Sequence, residues 1–177
     1  MDNSLLPVVY LAILVALLSG AGWFLFRQIF RTRRTETRLA RLQSKLSKEK
    51  GTAEEYYELG GILLDKRLYS QAIAQFQKAL KSKDLEGGEN TALIYNALGF
   101  AYAAQEQFDL AIRQYKEALE LYPAYATALN NLGFAYEKKQ MTAQALEAYE
   151  SALKVDPKNT TAKRRAESMR KRLVPSS

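Results

Sequence analysis

The segment Leu98-Gly99-Phe100-Ala101-Tyr102 recurs 34 residues later as Leu132-Gly133-Phe134-Ala135-Tyr136. The correspondence continues in step, Ala111 with Ala145, Tyr115 with Tyr149, Ala118 with Ala152 and Pro123 with Pro157. A fixed period constrains the fold more than any other feature here. A unit of 34 residues cannot bury its own apolar face and must stack on copies of itself. Two copies stand in strict register at 92–125 and 126–159. A weaker one occupies 53–86, with Leu59-Gly60, Ala72, Phe76 and Ala79 in the matching places, Leu63 replacing an aromatic and Asp84 replacing the Pro.

Leu-Gly, aromatic, Ala, aromatic, Ala and Pro in that order, at that period, is similar to the tetratricopeptide repeat (TPR). The reading is therefore an all-α chain: three TPR units at 53–86, 92–125 and 126–159, each of two antiparallel helices. In the second unit helix A is expected at about 92–105 and helix B at about 108–121. Gly99 lets the two helices approach where a side chain would hold them apart, and Ala111 and Ala118 keep the contact small. Tyr95, Leu98, Tyr102 and Tyr115 fill the space between. The five extra residues Gly87-Gly88-Glu89-Asn90-Thr91 read as a lengthened surface loop. Beyond Pro157, Ala162, Ala166, Met169 and Leu173 share one face of a capping helix at 160–173. Lys163, Arg164, Arg165, Arg170, Lys171 and Arg172 make a solvated opposite face.

Repeat stacks of this kind present surfaces to other proteins, and the composition supports a non-enzyme. The 177 residues include no Cys and no His. Disulfides, thiolate nucleophiles, Cys/His zinc sites and His acid–base catalysis are all excluded. No Gly-rich phosphate loop or nucleophile elbow is present. No catalytic residues, metal ligands or cofactor are expected.

Ahead of the repeats, Leu5 to Phe26 is 22 residues without a charge. As a helix it spans about 33 Å, against a hydrocarbon core of roughly 30 Å. Nothing basic precedes it, whereas Arg27, Arg31, Arg33, Arg34, Arg38 and Arg41 follow. That is the reverse of a cleaved signal peptide, which needs basic residues before a shorter apolar stretch. Residues 1–26 are expected to be a transmembrane anchor and 27–52 a basic juxtamembrane helical neck, with the repeats on the cytoplasmic or stromal side. Trp23 suits the interface. Ala12, Ala16, Ser19 and Gly20 form a small-residue face to which another helix could come close.

Net charge divides by region: +7 over 27–50, −5 over 51–157 and +6 over 158–177. The six arginines next to the anchor suit anionic headgroups at about 1 kcal/mol each. Nucleic-acid binding is the sharper reading of the basic ends. It is disfavoured, because aromatic interleaving is missing and the neck adjoins the membrane.

Helix A of each repeat is expected to line a partner groove through Tyr57, Leu64, Asn96, Phe100, Asn130, Phe134 and Glu137. Asn can bond a ligand backbone by donor and acceptor together, and Phe100 and Phe134 offer apolar anchors one repeat apart. Carboxylate-clamp TPRs carry Lys, Asn and Arg where this chain has Tyr57, Gly61, Ala97, Thr127 and Asn131. Binding of Hsp70 or Hsp90 tails is therefore disfavoured.

An N-terminus reading MDNSLLPVVYLAILVALLSGAGWFLFRQIFR, an Arg-rich neck and three TPR units together resemble the membrane-anchored TPR photosystem I assembly proteins of cyanobacteria and plastids. The resemblance covers nearly the whole chain, and MDNSLLPVVYL running into GAGWFLFRQ is its most specific part. It implies a single-pass thylakoid protein with its N-terminus lumenal and its body stromal or cytoplasmic. It also implies a scaffold for subunits of a membrane complex, photosystem I. A general membrane-tethered TPR adaptor in protein translocation or envelope assembly stays open beside it, as does a nucleic-acid-binding membrane protein.

Overall fold

The computed structural model describes residues 6–173, with the side chains of residues 6, 31 and 32 left out of that description. The MDNSL start and the Arg31 side chain lie outside the described residues. Among the described residues eight helices run in order: α1 Leu6–Leu46, α2 Ala53–Asp65, α3 Tyr69–Leu80, α4 Gly88–Ala104, α5 Phe108–Leu121, α6 Ala126–Lys138, α7 Thr142–Val155 and α8 Thr160–Leu173. The chain divides into two units after Lys45.

In the first unit, anchor and neck run on as one helix, about 60 Å for the whole of α1 at 1.5 Å per residue. Helix α1 is long and apolar enough to cross a membrane. Ala12, Ala16, Ser19 and Gly20 are exposed on it, as are Arg27, Arg33, Arg34, Arg38 and Arg41. Trp23, Phe26 and Phe30 succeed one another along one side, with ring centres 6.5 and 4.4 Å apart. They stand where the apolar run meets the arginines, as interfacial aromatics do.

The second unit is built from three helix pairs, α2–α3, α4–α5 and α6–α7, closed by α8. One contact repeats in each pair and explains the Leu-Gly signature. A Cβ on Gly60 would lie 2.5 Å from the Phe76 ring, on Gly99 2.6 Å from Tyr115, and on Gly133 2.8 Å from Tyr149. The aromatic of helix B fills the place a side chain would take. Alanines one turn to either side, Ala72 and Ala79, Ala111 and Ala118, Ala145 and Ala152, are fully buried. The turn between the helices also repeats: Arg67, Glu106 and Gln140 all take φ near 60°. The next residue donates its N–H to Leu63, Tyr102 and Tyr136 respectively, which closes helix A.

Three expectations change. The residues Gly88 to Thr91 are not a loop: they add a turn to the front of helix A, so α4 begins at Gly88 rather than near 92. Gly87, at φ 84°, makes the sharp entry. Asn90 Nδ2 then donates to the Glu86 carbonyl, and Thr91 Oγ1 to that of Gly87. Each side chain bonds the carbonyl four residues back, which ties the added turn to the residues that lead into it. The capping face also ends early. Ala162, Ala166 and Met169 are buried, but Leu173 is 46% exposed. Nor is the opposite face wholly solvated, because Arg165 and Arg170 turn back onto Glu137 and Glu150. Arg165 falls three residues after Ala162 and four before Met169, at the edge of the buried stripe.

Asp84, which breaks the repeat pattern, has a physical role. Its carboxylate accepts the N–H of Ala53 at 3.0 Å, capping α2 from 31 residues away. A reciprocal capping box completes that helix start: Thr52 Oγ1 accepts from Glu55 N–H, and Glu55 Oε2 from Thr52 N–H.

Candidate functional site

Helices α2, α4 and α6 stand in a row and share one face of the repeat unit. Tyr57 and Leu64 are half-buried on α2. The Tyr57 ring centre is 5.8 Å from that of Phe76, and burial raises its phenol pKa above the usual value. On α4, Phe100 is 48% exposed and Leu93, seven residues earlier on the same side, 38%. These are large apolar side chains facing water.

The two asparagines at one repeat position have different surroundings. Asn96 donates to the Tyr125 hydroxyl at 3.3 Å and accepts from Asn131 Nδ2 at 2.9 Å. Asn130 Oδ1 is shielded from water and has no hydrogen-bond partner. Leaving a buried acceptor unpaired costs about 1–3 kcal/mol. Asn131, one of the residues occupying a clamp position, is committed to Asn96.

The third repeat differs again. Phe134 is half-buried between two cations, with Lys138 Nζ 5.5 Å and the Arg165 guanidinium 6.0 Å from its ring centre. The Glu137 side chain is only 13% exposed. Its carboxylate accepts from Arg165 Nη1 at 2.9 and 3.0 Å and from the Tyr149 hydroxyl at 3.1 Å, with Arg172 Nη2 at 3.9 Å. Burial raises the Tyr149 phenol pKa, and neighbouring Glu137 raises it further, so the hydroxyl keeps its proton and donates. Glu137 thus ties α6 to α7 and α8. Of the seven groove residues, the structure places Phe100 most openly and Glu137 within an internal network.

Sequence reasoning missed a cleft of about 520 Å³ between the start of α2 and the extended front of α4. Its lining includes Glu54, Tyr57, Asp84, Glu86, Asn90 and Leu93. The one signal for it was the five-residue insertion, since Asn90 belongs to the turn that insertion adds. Among the described residues no group of three or more His, Cys, Asp or Glu is arranged to hold a metal ion.

The same repeat arrangement occurs in known proteins. Tetratricopeptide-repeat family models match residues 51–124 and 126–159. The ycf37 protein of Cyanophora paradoxa is 40% identical over 131 residues, covering 72% of this chain and 73% of the relative. That of Guillardia theta is 38% identical over 125 residues, or 71% and 70%. The chloroplastic tetratricopeptide repeat domain-containing protein PYG7 of Arabidopsis thaliana is 35% identical over 119 residues, or 67% of this chain and 39% of its own longer length. Among solved structures, a MamA double mutant superposes with a TM-score of 0.70 at 25% identity, covering 82% of this chain and 79% of that one. The first TPR domain of Spaghetti, bound to an HSP90 peptide, gives 0.63 at 21%, covering 68% and 92%, which is likeness of fold.

Proposed function

Because this chain belongs to the tetratricopeptide-repeat family of cyanobacteria and plastids that includes ycf37 and PYG7, we propose that it is a thylakoid-anchored scaffold for photosystem I assembly. In this reading α1 crosses the membrane with its N-terminus in the lumen. The repeat unit then stands at the stromal or cytoplasmic side, where it holds subunits of the complex. The observation that carries it is Phe100. A large aromatic, about half exposed beside Leu93 on the α2–α4–α6 face, is the kind of apolar patch that marks an interaction site. The net −5 of residues 51–157 favours basic stromal subunits, and the arginines after Phe26 set the orientation.

The test is co-purification from thylakoid membranes in mild detergent. Photosystem I subunits should come down with the full chain, and F100A with F134A should lose them. Raising salt should weaken the capture. Retention of the same subunits by the double variant would remove the face from the function. Co-purification of translocation or envelope components in place of photosystem I would favour the general adaptor.

A further inference from the structure

We propose that the cleft between α2 and the added turn of α4 is a binding site for a lysine or arginine side chain of a partner protein segment. The inference rests on reading the repeat unit as a partner-binding scaffold and specifies one point of its recognition. Tyr57, Leu93 and Ile94 give the cleft an apolar wall, while Glu54 and Glu86 bring two carboxylates to it. Neither Glu54 nor Glu86 has an ion pair or side-chain hydrogen bond among the described residues. A long basic side chain fits both features at once, its methylenes along the apolar wall and its cation at the acids.

An anion fits poorly. The start of α2 opens on the same cleft and would ordinarily attract a carboxylate or phosphate. Here the Ala53 N–H is taken by Asp84 and the Glu55 N–H by Thr52, so two donors of the first turn are used. The acids would repel what remained. The chain has capped the helix from within and left a cation site beside it.

The position of Phe100 adds a spacing. It lies seven residues beyond Leu93, about 10 Å along α4. A partner segment that reaches both sites carries a Lys or Arg about 10 Å from an apolar residue. That is roughly three residues in an extended segment or seven in a helical one.

The experiment places a photo-crosslinking amino acid at Asn90 in the full-length protein in its own membranes, with a second at exposed Leu110 as reference. Peptides cross-linked at Asn90 should carry Lys or Arg within about three residues of the attachment point, more often than those at Leu110. The charge reversal E54K with E86K should cut the Asn90 yield at least about fivefold, while E106K with E120K, on exposed acids outside the lining, should leave it unchanged. E54Q with E86Q, which disturbs the surface less, should reduce it in the same direction.

Cross-links to lipid alone, no enrichment in basic residues, or a yield indifferent to both cleft variants would each overturn the proposal. The two readings fail separately. Basic peptides from proteins unrelated to photosystem I would keep the cation site and remove the photosystem role. Capture of photosystem I subunits by the unsubstituted chain, with no enrichment in Lys or Arg among the peptides cross-linked at Asn90, would do the reverse.

Discussion

The two ends of the α2–α4–α6 face carry similar residues in opposite states. At the third repeat, Glu137 is held by Arg165 and Tyr149, and Phe134 lies between Lys138 and Arg165. Between the first and second repeats, Glu54 and Glu86 line an open cleft with no ion pair to either among the described residues, and Phe100 faces water. The difference comes from the segment that succeeds each repeat in the chain. Helix α8 succeeds the third and supplies Arg165 and Arg172, whereas a five-residue insertion succeeds the first and supplies another turn of α4. A repeat code reproduces a core, and the residues between and after repeats decide which part of the surface stays available.

The comparison can be broken most forcefully in what the ends share. If both have the same interhelical contact, G60A and G133A should each destabilise the repeat unit by about 1–3 kcal/mol, through a methyl forced against Phe76 or Tyr149. Urea melts of the two variants check this, and a large loss in only one would show unequal cores. R165A should come next. It leaves Glu137 short of its main partner and should cost about 1.5 kcal/mol, the low end for hydrogen bonds to charged groups because Arg165 is 35% exposed. The same variant should make Phe134 more accessible, which hydrogen exchange along α6 would report.

A smaller effect of opposite sign is expected one residue from Gly60. A Cβ on Gly61 meets nothing within 4 Å, so G61A should stabilise α2 by about 0.5–1 kcal/mol. Adjacent glycines with opposite responses would place the close approach at Gly60 alone. Smallest of all, E54Q with E86Q should change stability by no more than about 0.5 kcal/mol, since no internal partner is lost. A larger loss would mean that the cleft acids support the fold as Glu137 does, and the contrast between the ends would disappear.

Much of this was legible in the chain. The glycines of the Leu-Gly pairs, the buried alanines and the aromatics of helix B were read from period and order, and the structure gives each the contact that its size demands. The insertion was legible as an addition but not as a helix. Gly-Gly and polar neighbours indicate a loop on propensity, whereas Gly87 alone makes the turn and Asn90 and Thr91 bond back onto the Glu86 and Gly87 carbonyls. Asp84 looked like a defect in a repeat position, because its partner Ala53 lies 31 residues away and no local pattern announces the bond. The residues expected to line a groove lie on α2, α4 and α6. Their surroundings were not legible, since Glu137 meets Arg165 only after α7 has turned the chain back.

The sequence by itself determined the all-helical repeat unit, its core contacts, the apolar N-terminal helix and the separation of charge along the chain. These arise from periodicity, side-chain size and composition, which act over a few residues. The tertiary structure decided which acids are paired, which phenylalanine is open, and that an insertion makes a cleft. Glu137, Glu150 and Asp84 find partners 12 to 31 residues away in the chain, as Glu137 does in Tyr149 and Arg165. Only the packing of one helix on the next fixes such distances.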